Sequence, residues 1–144
     1  MPDLLVLCYH VVANGCTDEI AIAPATLRRQ LRGLLARGYH PATFTVAVTA
    51  AAAGRLRYDT LVVTFDDAFA VVREHAAPVL DLLGVPGTVF APTDLVTVGK
   101  AMSWSGLESH ALTPKERRPM TWRELDDLAA AGWEIGSHSA RTLG

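Results

Sequence analysis

Apolar positions along the chain keep two different periods, and the alternation between them outlines a fold. The run "LLVLCY" (4–9) predicts a first strand, and "TLVVTF" (60–65) is a continuous β-branched run of the kind buried on both faces of a sheet. Between them, "PATLRRQLRGLLARG" (24–38) carries Leu27, Leu31, Leu34 and Leu35 at helical spacing. That spacing predicts an amphipathic helix with Pro24 near its start and Gly38 as its stop. "YHPATF" (39–44) is a weaker second strand, and "TVAVTAAAAG" (45–54) is a short helix ended by Gly54.

Beyond the central run, "AFAVVREHAAPVLDLLG" (68–84) predicts a helix that Pro78 kinks or breaks. "GTVFAP" (87–92) is the fourth strand and "WEIGS" (133–137) the fifth. The stretch from Thr93 to Met120 reads as a long irregular segment with helical turns, a length that in compact domains is often functional. Thr121 followed by Glu124 makes a capping box for "WRELDDLAAAG". Strand and helix alternate throughout, the rhythm of βα units, so the expected class is α/β with parallel strands and flanking helices. A single domain over 1–144 is the simplest organisation, with no internal repeat or low-complexity linker.

Composition narrows the partners. Half of the 144 residues are apolar, enough to bury a core, and 13 basic against 15 acidic residues give a net charge of −2. No run of either sign marks a nucleic-acid or anionic-lipid surface, so small, neutral or sugar-like partners fit better. The start, "MPDLLVLCYHVV", has Asp3 where an export signal carries positive charge, and no span of about 20 apolar residues follows. The expected location is cytoplasmic, without a membrane span. Cys8 and Cys16 are too few for a disulfide framework and read as free thiols.

Chemistry concentrates in "VVTFDDA" (62–68), where Asp66 and Asp67 stand at the C-terminal end of the central strand. Adjacent like charges are costly without a positive neighbour, and a cation is one economical answer. A helix cap plus a solvated carboxylate is the other. "EIGSHS" ends a second strand on His138, so carboxylate oxygens and an imidazole converge on one rim. That donor mixture suits Zn²⁺ or a similar divalent ion.

The segments "YHVV", "LRRQLRGLLARGYHP", "LVVTFDDAF", "GVPGTVFAPTDLV" and "MTWRELDDLAAAGWEIGSHS", in this order, resemble the polysaccharide deacetylase family, also called the NodB-homology domain. The resemblance runs over nearly the whole chain. It implies a distorted (β/α) barrel and a metal-dependent hydrolase that removes acetyl groups from a carbohydrate, cleaving carbon–nitrogen bonds other than peptide bonds. On this implication Asp66 is the general base, Asp67 and His138 are ligands of a divalent metal such as Zn²⁺, and acetylated carbohydrate is the partner. His10, on the same rim, is a candidate for contact with metal or substrate, and Trp104 for stacking on a sugar. His40, His75 and His110 read as structural.

Two departures stand out. The family pattern His-Ser/Thr-x-x-His asks for a histidine where this chain has Thr142, a poor zinc ligand, and Ala68 replaces a glycine after the carboxylate pair. The resemblance also implies that the chain is the front half to two-thirds of a catalytic domain, ending inside the second motif. Such a partial barrel leaves a sheet edge open, which a homodimer would cover. The alternatives are a catalytically inactive or sugar-binding remnant and a Mg²⁺-dependent phosphoryl-transfer or receiver-like domain. The last explains "TFDD" but not "EIGSHS".

Overall fold

A computed structural model of the chain describes residues 1–104 and 106–141. In chain order the elements are β1 (Leu4–Tyr9), β2 (Val11–Val12), β3 (Ala21–Ile22), α1 (Pro24–Ala36), β4 (His40–Pro41), α2 (Phe44–Ala52) and β5 (Thr60–Asp66). A π-helical segment (Val72–Ala76) then runs into α3 (Ala77–Leu83), followed by β6 (Gly87–Ala91), α4 (Thr93–Val98), a 3₁₀ turn (Leu107–Ser109), α5 (Trp122–Ala130) and β7 (Glu134–Ser137).

β5 is buried from Thr60 through Phe65, as its unbroken apolar and β-branched run demands, and it centres the sheet. β1 pairs with it in parallel from Leu4↔Thr60 to Tyr9↔Phe65. On its other side β4 covers only the start, at His40↔Thr60 and Pro41↔Leu61, and β6 takes over from Val63↔Gly87 to Asp66↔Phe90. β7 follows β6 in parallel, ending at Ala91↔Ser137. The five-stranded sheet is open, with no closed barrel among the described residues. Because all its ladders are parallel, Tyr9, Asp66, Ala91 and Ser137 finish on one rim.

The two faces of β5 follow the period of two. Leu61, Val63 and Phe65 enter the main core with Leu27 and Leu31 of α1, Leu80 of α3 and Leu125 and Leu128 of α5. Phe65 stacks on Trp133 at a centroid distance of 5.6 Å and lies 5.8 Å from Tyr9. The opposite face carries Val62, Thr64 and Asp66. The N-terminus of α2 is bound to the sheet near this face: the Phe44 amide donates to Thr88 Oγ1 (3.1 Å) and the Thr45 amide to Glu134 Oε2 (2.9 Å). These sheet side chains satisfy amides that a helix start leaves without intrahelical partners.

Several expected boundaries shift for physical reasons. The second strand shrinks to His40–Pro41, because Thr43 and Phe44 already open α2. The helix expected over 68–84 begins with a turn and a π segment. Pro78 has no amide to donate and its ring would meet the carbonyl four residues back, and the wide turns of Val72–Ala76 precede it. The expected irregular stretch contains α4, ended by Gly99 at φ 71°. The capping box at Thr121 is formed, with the Glu124 amide donating to Thr121 Oγ1 (3.1 Å) and the Thr121 amide to Glu124 Oε2 (2.8 Å). The parallel pair β2–β3 is an addition, burying Val11 and Val12 completely.

Two glycines make opposite predictions. A Cβ on Gly33 in α1 meets nothing within 4 Å, so Gly33→Ala should stabilise the fold by about 1 kcal/mol through helix propensity. A Cβ on Gly87 falls 2.3 Å from the Trp133 ring. Gly87→Ala should therefore destabilise by about 1–3 kcal/mol, as overpacking does. Thermal unfolding followed by circular dichroism checks both; a midpoint for Gly87→Ala at or above wild type would contradict the Trp133 packing.

Candidate functional site

The site begins where β5 ends. Asp66 is the last residue of the strand, and the backbone then turns left-handed at Asp67 (φ 71°) and Ala68 (φ 52°). Left-handed backbone costs a residue with a Cβ roughly 1–2 kcal/mol, so neighbouring structure must impose it. The Asp67 amide donates to the Phe90 carbonyl (3.1 Å), the Met120 amide to the Ala68 carbonyl (2.8 Å) and the Ala70 amide to the Arg118 carbonyl (2.8 Å). An antiparallel bridge of Phe69 with Pro119 completes the clamp. Ala68 thus occupies a position for which glycine is the conformationally natural residue.

His138 follows β7 and is fixed from β6 and α4. Its amide donates to the Ala91 carbonyl (2.9 Å). The next carbonyls, of Ser139 and Ala140, accept from the first amides of α4, Thr93 (3.3 Å) and Asp94 (2.9 Å). Arg141 Nε pairs with Asp94 Oδ2 at 3.0 Å. The irregular-looking stretch after β6 therefore holds the histidine loop in place.

These anchors bring His138 Nε2 to 3.5 Å from Asp67 Oδ1 and 3.9 Å from Asp66 Oδ2. From the other side of the rim, His10 Nε2 lies 3.9 Å from the same Asp66 oxygen, and the Cys8 thiol donates to it at 3.5 Å. The two carboxylates differ in exposure: the Asp67 side chain is 5% exposed and that of Asp66 26%. Partial desolvation of its sulfur, reinforced by the charge of Asp66, pushes the Cys8 thiol above its ordinary pKa although the residue as a whole is exposed. Both cysteines are free thiols.

The Asp67–His138 pair fits a divalent ion. Two ligands each about 2.1 Å from a tetrahedral zinc stand about 3.4 Å apart, close to the spacing of these atoms. A carboxylate buried to the extent of Asp67 also benefits from a nearby cation. Trp104 is half-buried against Phe69, with ring centroids 6.4 Å apart. His40 lies against Tyr58, just before β5, with the rings tilted and their centroids 4.5 Å apart, and His75 lies 3.9 Å from Glu74. Thr142, where the family pattern has a histidine, lies outside the described residues.

Comparison with known proteins gives the family of this fold. The family profile of polysaccharide deacetylases matches residues 53–142, more than half of the chain and the whole span from β5 to the histidine loop. The chain belongs to the polysaccharide deacetylase family. Among solved structures, this deacetylase-family chain is similar to IcaB from Ammonifex degensii, at 27% identity and a TM-score of 0.75 over 97% of its own length and 54% of that protein's. It is also similar to a de-N-acetylase from Aggregatibacter actinomycetemcomitans (21% identity, TM-score 0.72, 96% of this chain and 55% of that one). The deacetylase PplD of Streptococcus pyogenes, solved in complex with acetate, matches at 18% identity and a TM-score of 0.77, over 96% of this chain and 57% of that one. The family member described here spans little more than half the length of these structures. No curated protein sequence matches it. Among its described residues no helix is long and apolar enough to cross a membrane.

The loop that clamps Ala68 is tied at its far end by Asp18. Asp18 Oδ1 meets His110 Nδ1 at 2.7 Å and accepts from the Ile20 amide (3.0 Å), while Oδ2 accepts from the Ala111 amide (2.6 Å). Burial pushes this carboxyl upward, but the Ile20, His110 and Ala111 bonds outweigh it and hold its pKa below the ordinary value. With the folded value lowered, the stabilisation is complete above the unfolded pKa of about 3.9 and is lost as pH falls through the lower folded value. The stability difference between wild type and Asp18→Asn, read from urea midpoints, should shrink in acid solution as pH falls below about 4 and through the lower folded value. A difference independent of pH would remove Asp18 as the titrating tie.

Proposed function

We propose that this chain carries the metal-binding half of a hydrolase that removes acetyl groups, N- or O-linked, from a carbohydrate. The observation that carries the reading is His138 Nε2 at 3.5 Å from Asp67 Oδ1 and 3.9 Å from Asp66 Oδ2, on the strand rim of a polysaccharide deacetylase-family sheet. Asp67 and His138 would hold the divalent cation, Zn²⁺ being the ion best suited to one oxygen and one nitrogen donor. When bound, that ion supplies Lewis acidity, polarising the acyl carbonyl and acidifying water.

The protein's own groups divide the remaining work by exposure. Asp67, almost fully buried and held by the Phe90 carbonyl, suits a fixed ligand. Asp66 reaches solvent through its more exposed carboxylate, and its Oδ2 is the atom that takes the proton from the attacking water. His10, 3.9 Å from that oxygen on the side away from His138, restrains the carboxylate and offers its ring to a substrate hydroxyl. Trp104, backed by Phe69 just beyond the Asp66–Ala68 turn, is the stacking surface for a sugar ring.

One residue favours a second reading. Thr142 stands where the family pattern has a metal-ligating histidine, which points to a chain that keeps the sugar groove but turns nothing over. Calorimetric zinc titration separates the two. In the hydrolase reading, Asp67→Ala and His138→Ala each lose one zinc equivalent relative to wild type, and Asp66→Asn keeps the equivalent held by Asp67 and His138 while lowering hydrolysis of acetylated chitooligosaccharide by about 10²–10⁴-fold. Identical zinc stoichiometry in wild type, Asp67→Ala and His138→Ala would falsify the ligand assignment. Zinc binding without turnover in the wild-type chain would support the remnant.

A further inference from the structure

We propose that Cys8, His10 and Asp66 form a second cation site on the β1 side of the rim, selective for a thiophilic divalent ion such as Zn²⁺ or Cd²⁺. The register of β1 against β5 creates it. Cys8 pairs with Thr64, itself two residues before Asp66 on the same face of β5, and His10 follows the strand directly. One ligand atom from each of the three residues lies within 4.8 Å of the other two.

The spacing is close to that of a zinc site before the ion draws it in. A tetrahedral zinc sets sulfur and oxygen ligands about 3.6 Å apart and nitrogen and oxygen about 3.4 Å apart. Here Cys8 Sγ is 3.5 Å and His10 Nε2 3.9 Å from Asp66 Oδ2, so the first edge already has zinc spacing, the second is about half an ångström longer, and the third lies within 4.8 Å. Cys8 is exposed and His10 and Asp66 only partly buried, which gives an ion and a completing water direct access. Thiolate, imidazole and carboxylate together favour zinc or cadmium and disfavour Mg²⁺ and Ca²⁺, which seek all-oxygen shells.

The site is distinct from Asp67 and His138, yet it touches the same chemistry through one atom. Asp66 Oδ2 is the oxygen shared between the two sides of the rim. An ion held by Cys8 and His10 takes that oxygen away from proton transfer, a consequence that rests on the role proposed for Asp66 above. The binding itself does not rest on it.

Titration of the full chain with Cd²⁺, followed by the ultraviolet thiolate-to-metal charge-transfer band, tests the site without reference to activity. One equivalent of band is expected in wild type, in Cys16→Ser and in His138→Ala. It should vanish in Cys8→Ser and require at least about tenfold more cadmium in His10→Ala. In parallel, Zn²⁺ but not Mg²⁺ should protect Cys8 from alkylation in the unmutated chain, which keeps the test valid should a variant fold poorly. No band in wild type, a band that survives Cys8→Ser, or unchanged affinity in His10→Ala overturns the proposal. Persistence of the band in His138→Ala alongside unaltered zinc stoichiometry in the Asp67 and His138 variants would retain this site and reject the other.

Discussion

The hydrogen bond from the Asp67 amide to the Phe90 carbonyl extends the β5–β6 ladder one residue past the end of β5, and the site depends on it. Without that bond the left-handed turn at Asp67 and Ala68 would have little to hold it on the β6 side. The bond also couples the carboxylate to the histidine, because the next carbonyl along β6, that of Ala91, receives the His138 amide. Two consecutive carbonyls of one buried strand therefore fix both halves of the Asp67–His138 pair. Their separation is set by backbone pitch more than by side-chain choice, which is why a pair from strands that are not neighbours stands at ligand spacing.

Close packing behind the rim keeps β6 in register. Gly87 lies under the Trp133 ring and Gly136 against the Phe90 ring, each too near for a side chain. Phe90 in turn meets Phe44 edge-on at 5.3 Å, joining the strand that anchors the site to the start of α2. On the other face, Phe65 between Tyr9 and Trp133 links β1, β5 and β7 through one stack. A shift of one residue in β6 would invert these contacts and carry Phe90 and Ala91 away from the amides they receive.

The strands were legible where one force dominated. Thr60–Phe65 is apolar and β-branched without a break, and burial on both faces leaves no other reading. Thr121 with Glu124 was equally plain, since a capping box is a local agreement between two side chains and two amides. α4 was missed although Pro92, Thr93, Asp94 and the stop at Gly99 are ordinary helix punctuation, because six residues give too short an apolar period to register. β2 and β3 were missed because two-residue strands have no period; their pairing depends on contacts between Val11–Val12 and Ala21–Ile22 that only the folded chain creates. Within the site, Asp66, Asp67, His138 and His10 were visible as strand-end residues. Cys8 was read only as a thiol, since its approach to Asp66 follows from the register Cys8↔Thr64, which sequence does not state.

Placement of charge then follows from burial. The fold nearly encloses the Asp67 carboxylate, where charge is costly without a partner, and leaves that of Asp66 partly exposed. Water reaches Asp66, and on the proposed reading that access suits it to exchange protons or to be captured from the β1 side by Cys8 and His10. Adjacent carboxylates with different solvent access thus acquire different capacities from one turn of backbone. The left-handed turn at Asp67 and Ala68 points the two side chains into different surroundings, one nearly enclosed and one open to water.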